Sequence, residues 1–279
     1  PNTGCLSVED TEKRAVSQTK AILPVHIFGH AAEISQICNL AARLGAAVVE
    51  DSCHALGGQA DGKKIGSWGM FSVASFGGTK SLGGLGGGAL LFDDDRLIPY
   101  VEDELAKLPL SPEKGVVDLL ALSHRNLYHG VVDYRRATGL QAKSLTVGHT
   151  ADQYRPLLIS GDPVSSEALQ AIIAGIKCYD NSNYQRLQAA RSYDQALSQS
   201  PCRRVPIDFL ENTGTLWRYT FTCSTPSQAK VLTSMLRKAG LQASNHYWSL
   251  SEIWASNNDL KSAAWFQERV INLWVDQSA

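Results

Sequence analysis

EDSCHALGGQADGKKIGSWGMFSVASFGGTKSLGGLGGGALLFD, residues 50–93, decides how the rest of the chain reads. An apolar strand, Ala46 to Glu50, ends on Asp51, and a second, Phe71 to Phe76, runs into Gly77-Gly78-Thr79-Lys80. Residues 81–88 are drawn from Ser, Leu and Gly alone, and a third strand is expected over Ala89 to Phe92. Lys80 is the only charged residue between Lys64 and Asp93. Lysine is normally solvated and seldom fully buried, so a lone lysine in this apolar, Gly-rich setting asks for a reason.

Three readings compete. Lys80 can be an ordinary loop lysine that follows a strand. It can belong to a phosphate loop, but that pattern needs Gly six residues before the Lys and another immediately before it, where this chain has Ala74 and Thr79. A GxGxxA match at Gly84, Gly86 and Ala89 precedes a strand instead of opening a helix, so it fails the context of a dinucleotide fingerprint. The third reading is a Schiff-base lysine, because an amine kept from water has a lowered pKa and becomes a usable nucleophile towards an aldehyde.

Asp51 favours the third. Pyridoxal phosphate (PLP) needs a lysine for its aldehyde and a carboxylate to keep its ring nitrogen protonated, which makes the ring an electron sink. A carboxylate at the end of a buried strand, followed by a lysine after a later strand, suits that chemistry. Ligands of open α/β sheets bind beyond the carboxyl ends of the strands.

The motifs around these two residues resemble the DegT/DnrJ-type, PLP-dependent sugar aminotransferases. PVHIFGH at Pro24 to His30 is similar to that family's PVHxxG segment, and VEDSCHALGG at Val49 to Gly58 to its ED-x-x-[QH]-A-x-G segment. DGKKIGSWG at Asp61 to Gly69 and SFGGTKSLGGLGGG at Ser75 to Gly88 resemble the two stretches that follow in the family, in the same order. The resemblance implies that Lys80 bonds the cofactor aldehyde and that Asp51 pairs with the pyridine nitrogen. His54 would lie beside the ring and its phenolic oxygen, and Ser75 would hydrogen-bond the phosphate. It further implies a nucleotide-linked keto sugar and an amino-acid donor as substrates, and a homodimer. The likeness is strong from about Gly4 to Asp93, weak between about Ile98 and Ser160, and traceable beyond.

Each partner also has an ordinary structural role open to it. Asp51 can cap a strand end, His54 can be a satisfied core histidine, and Ser75 a plain strand hydroxyl. Their order together with Lys80 favours the functional reading.

Composition sets the remaining limits. With 279 residues, 44% of them hydrophobic, the chain can bury a sizeable core of one or two domains. A formal charge of -1 recommends neither a nucleic-acid nor an acidic-membrane partner. No apolar run reaches membrane-spanning length and no basic-then-apolar leader opens the chain. The six cysteines form no CxxC pair, so neither a zinc site nor a disulfide framework is indicated, and reduced thiols in a cytoplasmic enzyme fit.

Along the chain, Ala32 to Leu44 places Ile34, Ile37, Leu40, Ala41 and Leu44 on one helical stripe that Gly45 ends. Strand Ala21–Val25, this helix and strand Ala46–Glu50 make a βαβ unit, hence a parallel sheet with a right-handed crossover. Asp94 to Leu108 reads as helix. Between Glu113 and Pro163 no period is clean; Arg125, His129, Arg135 and Arg136 there could meet a phosphorylated substrate or simply be solvated. Ser165 to Ser198 reads as one long helix or two joined ones, capped by Ser165 or Ser166. Strand Leu216–Cys223, helix Pro226–Ala239, strand Leu241–Tyr247 and a helix near Ala263–Val270 follow, with Asn245, His246, Tyr247 and Trp248 as candidate cleft residues.

The expectation is an α/β chain of the fold type I PLP architecture. Residues 1–164 would form the large, mostly parallel α/β/α PLP-binding domain without its leading part, and residues 165–279 a long helix and a small C-terminal domain. Set against the family, the chain reads as a fragment lacking the leading segment and the last C-terminal part, and is expected to bind PLP poorly alone, because Ser75 by itself offers a doubly charged phosphate too few donors. Asp162 to Ser165 stands where the family places Asn-x-Arg. Two rivals remain: a catalytically idle or regulatory homologue acting as an interaction module, and a related PLP sugar dehydratase, against which the presence of Lys80 argues.

Overall fold

The computed structural model describes residues 3–110, 161–206, 210–211, 214–245, 247 and 260–276. Contacts divide the chain into two units, one of Pro1–Asp93, Val164–Tyr247 and Ser262–Ala279, the other of Asp94–Pro163 and Trp248–Lys261.

In the first unit a short helix, α1 (Val8–Arg14), is capped by Ser7, whose hydroxyl accepts from the Asp10 N–H. The βαβ unit follows as β1 (Ala21–Ile22), α2 (Ile34–Leu44) and β2 (Ala47–Asp51). Ile34, Ile37, Leu40 and Ala41 of α2 are buried, with Ile22 and Val48 of the strands in the same cluster. Each large side chain so buried contributes about 1.5–3 kcal/mol. Gly45 ends the helix at φ 65, as the sequence predicts, returning its N–H to Ala41 and Ala42 carbonyls.

Next come a two-residue-per-strand hairpin, β3 (Gln59–Ala60) and β4 (Lys63–Lys64), then β5 (Phe71–Ser75) and β6 (Gly88–Leu91). The main sheet has the order β1-β2-β5-β6; the first two pairings are parallel and the last antiparallel. The hairpin was not foreseen. Its signal is Asp61-Gly62, both at positive φ (46 and 75), the combination a tight two-residue hairpin turn demands.

Of the two readings of Ser165 to Ser198, the two joined helices hold: α4 (Ser166–Lys177) and α5 (Tyr179–Ala196) meet at Cys178, where ψ is 2. Ser165 caps the first by accepting from Ala168 N–H at 3.1 Å. A second sheet has the order β7-β8-β10-β9, every pairing antiparallel. Its strands are β7 (Arg203–Arg204), β8 (Arg218–Thr222), β9 (Ala243–Ser244) and β10 (Val270–Trp274), with α6 (Pro226–Lys238) and α7 (Lys261–Arg269) between them. Leu216, Tyr219, Phe221, Ile271 and Leu273 form its core with Ala190 of α5 and Ala229 of α6. Strand β10 was not foreseen: VINLW follows a helix without punctuation, and a short apolar run cannot be told from helix by periodicity.

The second unit contains a 3-10 turn, Asp95–Leu97, whose cap Asp94 accepts from Arg96 N–H, and α3 (Ile98–Ala106). Arg125, His129, Arg135 and Arg136, and likewise His246 and Trp248, lie outside the described residues.

Candidate active site

Asp51 and Ser75 are the last residues of β2 and β5, neighbouring parallel strands. The chain locks Asp51 in place through its backbone: its N–H reaches Pro24 O at 2.9 Å and its carbonyl accepts from His26 N–H at 3.0 Å. Its side chain turns into the following loop, where Oδ1 accepts from Cys53 N–H at 3.0 Å. After Ser75 the chain makes a turn in which Lys80 N–H bonds Gly77 O at 2.9 Å. A Cβ on Gly77 would lie 3.8 Å from Ser75 Oγ and 3.9 Å from Lys80 Cγ, so hydroxyl and lysine stem converge on one point.

Lys80 is half-buried, and its amine is held below the ordinary lysine value, by burial first and by the Arg218 cation; Cys53 and Asp51 act in the opposite sense. The Asp51 charge thus acts on the Lys80 amine. His54 feels Lys80 as well. Burial, then the Lys80 and Arg218 charges, push its pKa down to about 3. Its Nδ1 accepts from Phe28 N–H at 3.2 Å, so the neutral ring carries its proton on Nε2. Cys53 remains a thiol, its pKa pushed up to about 12 by burial and by Asp51.

The second half of this unit adds residues that the sequence did not single out. The Trp217 indole stacks on His54, centroids 3.7 Å apart and planes 13° from parallel. Lys80 Nζ lies 5.3 Å from the same ring. Arg218 stacks on Trp217 at 4.4 Å and on Trp274 at 4.1 Å. Trp217 N–H also bonds Phe28 O at 3.2 Å. Phe28 therefore ties the two segments together with both its backbone groups, and it does so at φ 61, a conformation costly for a bulky residue. Tyr179 donates to Leu56 O at 2.9 Å, its ring lying where a Cβ on Gly57 would sit, 2.6 Å away. A signal for Arg218 was present: a cation inside the apolar run of a strand needs a partner or a purpose. Of the other cleft candidates, Tyr247 packs edge-on against Phe28 at 4.9 Å. Among the described residues no group of His, Cys, Asp and Glu could hold a metal ion.

The donor set suits PLP. An amine of lowered basicity matches its aldehyde, a strand-end carboxylate its ring nitrogen, an imidazole Nε2–H its phenolic oxygen, and a hydroxyl its phosphate.

Residues 1–107 match the DegT/DnrJ/EryC1/StrS aminotransferase family. The chain is similar to a pleiotropic regulatory protein of Geobacillus stearothermophilus, 34% identical over 148 residues, which are 53% of this chain and 36% of that protein. It is similar to GDP-perosamine synthase of Escherichia coli O157:H7, 32% identical over 133 residues, 46% of this chain and 32% of that protein. It thus spans roughly a third of the length of these curated relatives. Among solved structures it resembles PseC of Helicobacter pylori, an aminotransferase of pseudoaminic acid biosynthesis, with TM-score 0.68 and 20% identity, covering 98% of this chain and 66% of that one. A likeness at that identity shows the fold, the fold type I architecture of PLP-dependent aminotransferases.

Proposed function

We propose, from the match of residues 1–107 to the DegT/DnrJ/EryC1/StrS aminotransferase family, that the chain serves a PLP-dependent transamination. An amino group would pass from glutamate or glutamine to the keto group of a nucleotide-linked sugar. The observation that carries this reading is the Lys80 amine, held below its ordinary basicity beside Asp51 and His54. When bound, PLP supplies an aldehyde and a protonated ring that takes up the electron pair released at the substrate carbon. The chain's own residues do the rest. Lys80 Nζ would hold the cofactor by its aldehyde and, once freed by the donor amine, would serve as the general acid–base at the substrate Cα, work suited to an amine of lowered pKa. Asp51 holds the proton on the ring nitrogen. His54 donates from Nε2 to the phenolic oxygen, and Ser75 donates to the phosphate.

The same reading takes residues 1–164 as the PLP-binding domain and 165–279 as the long helical segment and small domain, in a cytoplasmic homodimer. No described helix is long and apolar enough to cross a membrane.

A second reading, a regulatory homologue that keeps the fold as an interaction module, is favoured by the similarity to a pleiotropic regulatory protein and by Asp162 to Ser165 in place of Asn-x-Arg. One experiment separates them. The protein is incubated with millimolar PLP and borohydride, whose irreversible reduction accumulates adduct even at weak occupancy, and its peptides are mapped by mass. The adduct should fall on Lys80 and vanish in Lys80→Ala, with the circular dichroism spectrum unchanged. An adduct confined to Lys63 or Lys64, or none at all, sinks the aminotransferase reading.

A further inference from the structure

Besides local turn bonds such as Gly84 N–H to Phe76 O at 3.0 Å, the backbone around Lys80 is held by side chains from far along the chain. The carbonyl before it, on Thr79, accepts from Trp217 Nε1–H. The carbonyl after it, on Ser81, accepts from Arg186 Nη1 at 3.0 Å. Lys80 N–H itself closes the turn onto Gly77 O. Gly77-Gly78 before this residue and the Gly-rich run after it provide little stiffness of their own, so the two side-chain donors set where its Cα sits.

Both donors are themselves restrained. Trp217 stacks on His54 and lies against the Arg218 guanidinium. Arg186 is 95% buried (5% exposed), with Nη2 3.6 Å from Asp276 Oδ2. That same oxygen lies 3.5 Å from Nη1 of Arg218. Arg218, only 1% exposed, thus links the indole to the carboxylate that also holds Arg186. The bland account is that Arg186 and Arg218 are buried cations paired with one acid to fasten α5 to the second sheet. That account leaves unexplained why two donors 31 positions apart in sequence straddle a single residue, and why that residue is the lone amine of the Gly-rich loop.

We propose that Trp217 and Arg186 are positioning residues for Lys80: they grip the carbonyls on either side of it and so hold its amine partly out of water beside Asp51 and His54. The proposal deepens the reading of Lys80 as the reacting amine and rests on it, so its test uses a probe that does not involve the cofactor. Competitive labelling of the protein with trace acetic anhydride across pH, read at Lys80 by mass spectrometry, gives the basicity of that amine directly.

Trp217→Phe keeps a ring against His54 and removes only the N–H donor. Arg186→Met removes the other donor, and Arg186→Lys restores one. In the wild type, half-labelling of Lys80 should occur below pH 10.5, the ordinary lysine value. In Trp217→Phe and Arg186→Met the freed amine gains solvent and the midpoint moves back towards 10.5. Its labelling rate near pH 8 then falls about tenfold for each unit of that movement, while the rates above pH 11 converge. Arg186→Lys should lie between wild type and Arg186→Met. Ile271→Val, a core truncation in the second sheet, should lower Tm without moving the midpoint. If Trp217→Phe and Arg186→Met lower Tm yet leave the Lys80 profile where the wild type has it, the two residues are fasteners only and the proposal is wrong. A wild-type midpoint at 10.5 overturns it equally. Should Arg186→Met not fold, Trp217→Phe decides alone. A wild type that shows the donor-sensitive profile but gives no borohydride-trapped PLP keeps the clamp and loses the cofactor, so the two failures are distinguishable.

Discussion

The two four-stranded sheets of the first unit divide the work differently. The β1-β2-β5-β6 sheet is mostly parallel and carries the candidate site residues at its strand ends, Asp51 closing β2, Ser75 closing β5 and Lys80 in the turn that follows. The β7-β8-β10-β9 sheet is wholly antiparallel and buries its polar groups among aromatic rings: Arg218 against Trp217 and Trp274, with Thr220 Oγ1 donating to Asn272 Oδ1. A parallel strand ends where a loop must begin, so its last side chain is free to face a ligand. Arg218, Thr220 and Asn272 lie within strands and not at their ends, and each is buried, so they face other parts of the protein. The first sheet therefore presents its candidate groups at strand ends, and the second keeps its polar groups inside.

Acid should expose the largest difference between them. Burial pulls the pKa of His30 down to about 4, and that of His54 to about 3, against 6.5 in the unfolded chain. Below pH 6.5 the unfolded chain takes up protons that these folded rings refuse, so stability is full above that pH and falls as pH drops towards 4. Each ring contributes a slope of up to about 1.4 kcal/mol per pH unit. The arginines of the second sheet keep their charge throughout. Urea unfolding between pH 7 and pH 4 should show the fall, and His30→Gln with His54→Gln should flatten it; a double variant as acid-sensitive as the wild type would place the sensitivity elsewhere.

A smaller effect tests the seam. A Cβ on Gly29 would sit 2.5 Å from Trp217 N, and Gly29 has φ 95. Gly29→Ala should cost about 3 kcal/mol, from backbone strain and overpacking together, and denaturant midpoints will measure it. Because the clash is with the segment leading into β8, the same substitution should also reduce trapping of PLP at Lys80; a stability loss with full trapping would show that the first sheet orients its own lysine. The smallest expected change is at Arg43, whose ion pair with Glu12 at 2.6 Å is more than half exposed on both sides. Arg43→Ala should stay within about 0.5 kcal/mol in the same assay, and a larger loss would mean that the rim of the first sheet matters more than its strand ends.

Legibility in the sequence followed the same division. The first sheet announced itself through the 3.6-residue stripe of α2, the Gly45 stop, and a solitary lysine among glycines, all of them local patterns. The turn of β3 and β4 was readable in Asp61-Gly62 and passed over because DGKK was read only as part of a motif. Trp217 and Arg186 were not legible, since what distinguishes them is their distance from Lys80 in space, and no spacing along the chain encodes that. Cys178 breaks the long helix without Gly or Pro to mark it. Strand β10 hides in an apolar run that a helix could equally have continued.

Consider finally the order in which such a site can come into being. Lys80's two flanking carbonyls are closed by partners 138 and 105 positions away, and Leu56 is closed by Tyr179 across 123. Contacts of such sequence separation carry a large loop-closure cost and slow folding. The βαβ core can assemble from neighbours, but the surroundings that set the amine's reactivity exist only once β8 and α5 have docked. Lys80 is then a clock for the chain: an ordinary surface lysine through the early stages, and a distinctive one at the end. Pulsed acetylation during refolding would time that last closure at a single atom.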